Sequence, residues 1–175
     1  MAMFHRTLLL TTTLVAALAL PTAGLAQSAL SVKFTDPAWD GKTVPKAATC
    51  SIDGNTGAMT PALELSGVPD GTAKITESFN DETYTPMDHG GHGVLGFDVT
   101  PSGGMVQIPS VPGESDQLPA GVSVVTKNRG TGNYDKPGWL PPCSGGHGNL
   151  YTMDVTALDA SGKTLGTAHV ALGHY

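Results

Sequence analysis

Positive charge is scarce in this chain: 9 lysines and arginines stand against 15 aspartates and glutamates in 175 residues. Arg6 and Arg129 are the only arginines, and no basic run occurs anywhere. Nucleic acid and anionic membrane surfaces recruit clustered Lys and Arg, so neither is an expected partner. Aromatic residues are few (6%), and charged residues make up only 14%. No segment carries a long apolar stripe at helical spacing, and no apolar run reaches the roughly 20 residues that a confident membrane span needs. Gly-x-Ser-x-Gly, His-Glu-x-x-His and the Walker loop are all missing, which removes the best-known local signs of hydrolase, zinc-protease and nucleotide chemistry.

What the chain does have is glycine (23) and proline (13). Turn-rich composition with 39% hydrophobic residues suits short strands around a packed interior. Strand-like pieces fall at 30–34, 62–65, 74–79, 94–99, 105–108, 122–127, 149–158 and 167–172, separated by turns such as Val68-Pro69-Asp70-Gly71 and Pro101-Ser102-Gly103-Gly104. Alternation is plainest where Tyr151, Met153, Val155 and Ala157 oppose Thr152, Asp154 and Thr156. A period of two gives one inward and one outward face, so the expected fold is all-β, a two-sheet antiparallel sandwich with little helix. Residues 1–26 read as a cleaved secretory signal: Arg6, an apolar stretch over 8–20, then Gly24-Leu25-Ala26 before Gln27. Residues 27–175 then form a single domain, soluble in the periplasm or secreted.

The motif Gly-Gly-His-Gly occurs twice, at 90–93 and 145–148, each time just before a strand. Histidines held at such points project into one end of a sheet, which suggests a shared polar site built from His92 and His147. Cys50 and Cys143 are the only cysteines. In an oxidising compartment they pair as a disulfide; the alternative is two buried thiols.

Taken in order, these pieces resemble the phosphatidylethanolamine-binding protein (PEBP) family, in particular its bacterial Raf-kinase-inhibitor-like branch. The likeness rests on Asp36-Pro37-Ala38-Trp39-Asp40-Gly41, Thr49-Cys50, Thr60-Pro61-Ala62-Leu63, Gly67-Val68-Pro69-Asp70-Gly71-Thr72, the spacing from Asp81 to His92, Gly130, Tyr134, Pro141-Pro142, His147 and the terminal strand over 165–175. It implies a PEBP-like β-sandwich with an anion pocket at one end. Carried over by position, the ligand-binding residues are Asp81, His92 and His147, with Tyr134 and the Pro141-Pro142 loop beside them. The chain departs from the family where Asp-Pro-Asp-x-Pro is replaced by Asp81-Glu82-Thr83-Tyr84-Thr85-Pro86, where Gly93 replaces an aromatic residue, and where Gly148-Asn149 replaces Arg-Tyr. The helix that usually precedes the last strand is also missing.

The expected function is therefore that of an exported, non-enzymatic binding protein without a cofactor. Its partner is a small anionic or zwitterionic ligand, phosphate or a phospholipid headgroup, and no protein partner is indicated. Asp81 would fix a histidine tautomer and meet the ammonium of a zwitterion while the imidazoles hold the anion. Arg129 would either steer anions toward the loop or stay solvated. Two alternatives remain. His89, His92 and His147, with Met87 nearby, offer a copper or zinc set. Hydrolase-like acid–base chemistry would have Cys143 as its only candidate nucleophile, and a disulfide would silence that thiol.

Overall fold

The computed structural model describes Met1 and residues 29–175. The expected signal segment therefore lies almost wholly outside the described residues. Among the described residues, eight strands form two sheets, each antiparallel throughout. The smaller sheet has the order β1 (Ser31–Phe34), β2 (Leu63–Ser66), β5 (Met105–Ile108). The larger runs β6 (Val122–Thr126), β4 (Val94–Asp98), β3 (Thr72–Asp81), β7 (Leu150–Asp159), β8 (Thr164–His174). Among the described residues, helix is confined to four three-residue 3-10 turns. Every strand expected from alternation is present; β3 and β8 run further than expected because each finds long pairing partners.

The two inner faces make the core. Leu63, Leu65, Val106 and Ile108 from the small sheet meet Ile75, Phe79, Leu95, Phe97, Met153, Val155 and Ala157 from the large one, all buried. Trp139, carried by the long loop before β7, packs on Phe79 with ring centroids 5.1 Å apart. Residues 159–163 form a tight turn instead of a helix. Asp159 accepts hydrogen bonds from Ser161 N, Ser161 Oγ and Lys163 N, and Gly162 takes φ +88°. The Ser161 hydroxyl, followed by the Lys163 amide, holds the Asp159 carboxyl below its ordinary range.

Antiparallel pairing decides where the loops meet. β3 ends at Asp81, and its partners β4 and β7 begin there: Ser78 pairs with Val94, and Asp81 with Tyr151. The loops leading into β4 and β7 thus arrive at the same end of the large sheet. Cys50 and Cys143 are joined there by a disulfide across a sequence separation of 93. Closing a loop that long stabilises the fold by on the order of 4–5 kcal/mol in the chain-entropy account.

Candidate functional site

A cavity of about 640 Å³ opens at this end. Asp81, His92, Tyr134, Arg129, Asn149 and Tyr151 are among the residues of its wall. Asp81 is placed by β3, on the inward face two residues beyond Phe79. It is 3% exposed. One carboxylate oxygen accepts the amides of Thr83 and Tyr84 at 3.0 and 2.9 Å, and the other accepts Asn149 Nδ2 at 2.7 Å. Asp81 therefore organises the first turn of the loop and also ties it to the start of β7.

His92 reaches the cavity because its loop folds back on itself. Its amide donates to Phe79 O, and its carbonyl accepts from Leu140 N. Gly91 makes this possible: a Cβ there would come within 2.2–2.3 Å of the Met87 backbone. The imidazole Nδ1 lies 2.8 Å from the Leu140 carbonyl. A carbonyl can only accept, so Nδ1 carries the proton and Nε2 keeps its lone pair. The tautomer is thus set by a backbone carbonyl, not by Asp81 as the sequence suggested. Burial lowers the His92 pKa, against the opposing pull of Leu140, Asp81 and Pro141. The ring stands edge-on to Tyr151 at 5.3 Å between centroids.

Tyr151 comes from the second residue of β7, where alternation turns it inward opposite Asp81. Its hydroxyl accepts the Cys143 amide at 3.1 Å. Burial pushes its pKa up to about 12, and nearby Asp81 adds to the effect, so it is a neutral phenol. Tyr134 sits on the 3-10 turn Gly132–Tyr134, 42% exposed, at the mouth. Asn128 shapes that loop: its side chain donates to the Lys136 and Gly138 carbonyls and accepts the Gly130 amide.

Arg129 is neither free nor merely solvated. Its guanidinium donates to the carbonyls of Pro86, Asp88 and His89 at 3.2, 2.9 and 2.9 Å, clamping the loop before β4. Three of its five N–H groups are used, which leaves two for a ligand. Asp81 likewise receives three hydrogen bonds, which leaves about one of its four acceptor positions.

His147 lies outside the cavity wall and is exposed. The chain is drawn away from the cavity just before β7, because Gly148 N donates to Tyr175 O and Tyr175 N donates to Asn149 O. Gly145, Gly146 and Gly148 all adopt positive φ, forming a turn on the outer side of that contact. His89 is exposed as well, with its amide and ring both directed to Asp88. The suggested metal set of His89, His92 and His147 therefore does not converge. Among the described residues, the group of three ligand-type side chains that comes close together is Cys50, Asp53 and Cys143. Cys143 is in the disulfide, so it offers no free thiol to a hydrolytic reaction.

Asn149 and Tyr151, which the sequence reading did not single out as site residues, belong to the wall. The alternation that turns Tyr151 inward was available in the sequence. The link between Asn149 and Asp81 required knowing that β3 and β7 pair. No protein-family model and no curated protein matches the chain. Among solved structures it is similar to a putative phosphatidylethanolamine-binding protein homologue from Chlamydia trachomatis, at 20% identity and a TM-score of 0.50, over 84% of this chain and 97% of that one. With two antiparallel sheets, almost no helix among the described residues and this likeness across nearly the whole of the other chain, the protein has the PEBP-like all-β fold.

Proposed function

We propose that this chain is an exported, non-enzymatic binding protein whose cavity takes a small zwitterion of the phospholipid-headgroup type, phosphoethanolamine being the simplest. The observation that carries the reading is the presence of a buried carboxylate and a guanidinium on one cavity wall, each with hydrogen-bonding capacity left over. A bare anion would be repelled by Asp81 and would meet a lone pair, not a proton, at His92 Nε2. A zwitterion resolves both problems. Its ammonium donates to Asp81 and to His92 Nε2, while its phosphate takes the remaining Arg129 donors and the hydroxyls of Tyr134 and Tyr84. The PEBP-like fold supports a small-ligand binding role in general, and the proposal of export rests on the leader-like composition of residues 1–26.

The test is a calorimetric comparison of phosphoethanolamine, inorganic phosphate and ethanolamine on the full chain. Phosphoethanolamine should bind at least about tenfold more tightly than either half, equivalent to about 1.4 kcal/mol. Asp81→Asn should abolish that preference, and His147→Ala should leave it unchanged. Equal binding of phosphate and phosphoethanolamine, or indifference to Asp81→Asn, would overturn the reading.

A further inference from the structure

On the face of the large sheet turned away from the core, five side chains close into a ring of contacts. His169, on β8, places Nδ1 2.7 Å from Asp154 Oδ1 and Nε2 3.3 Å from Glu82 Oε1. The other oxygen of Asp154 accepts Asn80 Nδ2 at 2.9 Å. Asn80 Nδ2 also donates to Thr152 Oγ1 at 3.2 Å, and the Thr152 hydroxyl donates to Glu82 Oε1 at 2.9 Å, which completes the circuit. Strand register brings these residues together, because Asn80 pairs with Thr152 and Asp154 with His169. The ring touches the ligand cavity at two points. Asn80 is 2% exposed, and its Oδ1 accepts the Gly90 amide at 2.7 Å, two residues before His92. Glu82 lies between Asp81 and the two residues, Thr83 and Tyr84, whose amides Asp81 holds.

We propose that His169 is a pH-sensitive latch on the cavity: as an imidazolium it holds Asp154 and Glu82, and its deprotonation releases Glu82 and loosens the chain from Asp81 to Tyr84. An ionised carboxylate only accepts, and each ring nitrogen faces one, so both nitrogens must carry a proton for the ring to hold. Loss of one proton leaves the shorter contact, Nδ1 to Asp154, and turns the Nε2 lone pair toward Glu82. Glu82 from the loop after β3 and Asp154 from β7 are the acidic groups paired with this imidazole. Neither has a lysine or arginine partner among the described residues, so His169 is the cation on which both depend. The three side chains are 55%, 43% and 36% exposed for His169, Asp154 and Glu82, so water screens the charges and the effect is local and modest. Histidine titrates between about pH 5 and 8, which places the release within the ordinary range of an aqueous medium. The consequence for ligand binding rests on the reading of the cavity given above; the latch itself does not. Binding then has an upper pH limit set by His169. Its lower limit is set by protonation of His92, whose pKa burial lowers.

The experiment uses the full chain and its His169→Arg variant, which keeps a cation at this position at every pH. Amide exchange is followed by NMR from about pH 5.5 to 8 and expressed as protection factors, which remove the intrinsic pH dependence of exchange. The two proteins should protect the amides of Thr83, Tyr84 and Gly90 equally at the acid end. At the alkaline end the wild type should fall below the variant by roughly two- to fivefold. Any slope contributed by the buried Glu77 is common to both proteins and cancels in the comparison. Within the wild type alone, the Glu82 side-chain carboxyl resonance should move with the same midpoint as the His169 imidazole. Phosphoethanolamine affinity should weaken over the same interval in the wild type and hold in His169→Arg. If the exchange difference is present and phosphoethanolamine binds neither protein, the latch stands and the reading of the ligand fails. Equal protection in the two proteins at every pH refutes the latch, as does a Glu82 resonance that ignores His169, whatever the cavity binds.

Discussion

Glu77 is the side chain least expected where it lies. It faces inward from β3 between Ile75 and Phe79, opposite Leu95 and Val155, fully buried, and neither carboxyl oxygen has a hydrogen-bond partner. Burial alone pushes its pKa from 4.5 to about 8. The folded chain thus keeps the proton over a range in which the unfolded chain has already lost it. Stability must fall as pH rises from about 4.5 to about 8, by on the order of 4–5 kcal/mol across the whole interval. Glu77→Met, which fills the same space without a titrating group, should remove that slope and raise the melting temperature most at pH 8. Denaturant titrations of both proteins at several pH values would check it. His92 acts in the opposite direction. Its folded pKa is lowered, so its contribution is present above about pH 6.5 and is lost as pH falls below that value.

At the level of elements, the site depends on two loops locked to each other. Arg129 holds the loop before β4 by three carbonyls, and Asn128 holds its own loop by three further hydrogen bonds. Arg129→Ala should cost only about 1–3 kcal/mol, because the guanidinium is exposed. Its larger effect should be local: amides of residues 85–91 should exchange faster in hydrogen–deuterium measurements while those of β3 and β7 keep their protection. Gly130→Ala tests the same junction from the backbone, since a Cβ there would fall 1.9 Å from the Tyr134 carbonyl. It should destabilise by roughly 1–3 kcal/mol and displace Tyr134, and ligand titration should then show weaker binding.

For the molecule as a whole, the disulfide is the largest single tether. It joins the loop after β1 to the loop before β7, which no strand pairing connects. Replacing both cysteines by alanine should lower the unfolding free energy by up to about 4–5 kcal/mol, measured by urea titration, and widen the cavity mouth at Cys143.

Local chemistry was enough to determine the strands. Alternating side chains and Gly-Pro turns placed all eight, and the inward position of Tyr151 followed from the same period. Asp81 and His92 were also legible as candidates, from the spacing between them and from the glycine-flanked histidine that leads directly into β4. The fate of His147 was not. Gly-Gly-His-Gly reads identically at both positions, yet one histidine is buried at the cavity and the other is exposed. Contact between Gly148 and the C-terminal Tyr175 decided this, and no local pattern encodes it. The clamp made by Arg129 is likewise tertiary, because it joins residues 40 to 43 positions apart.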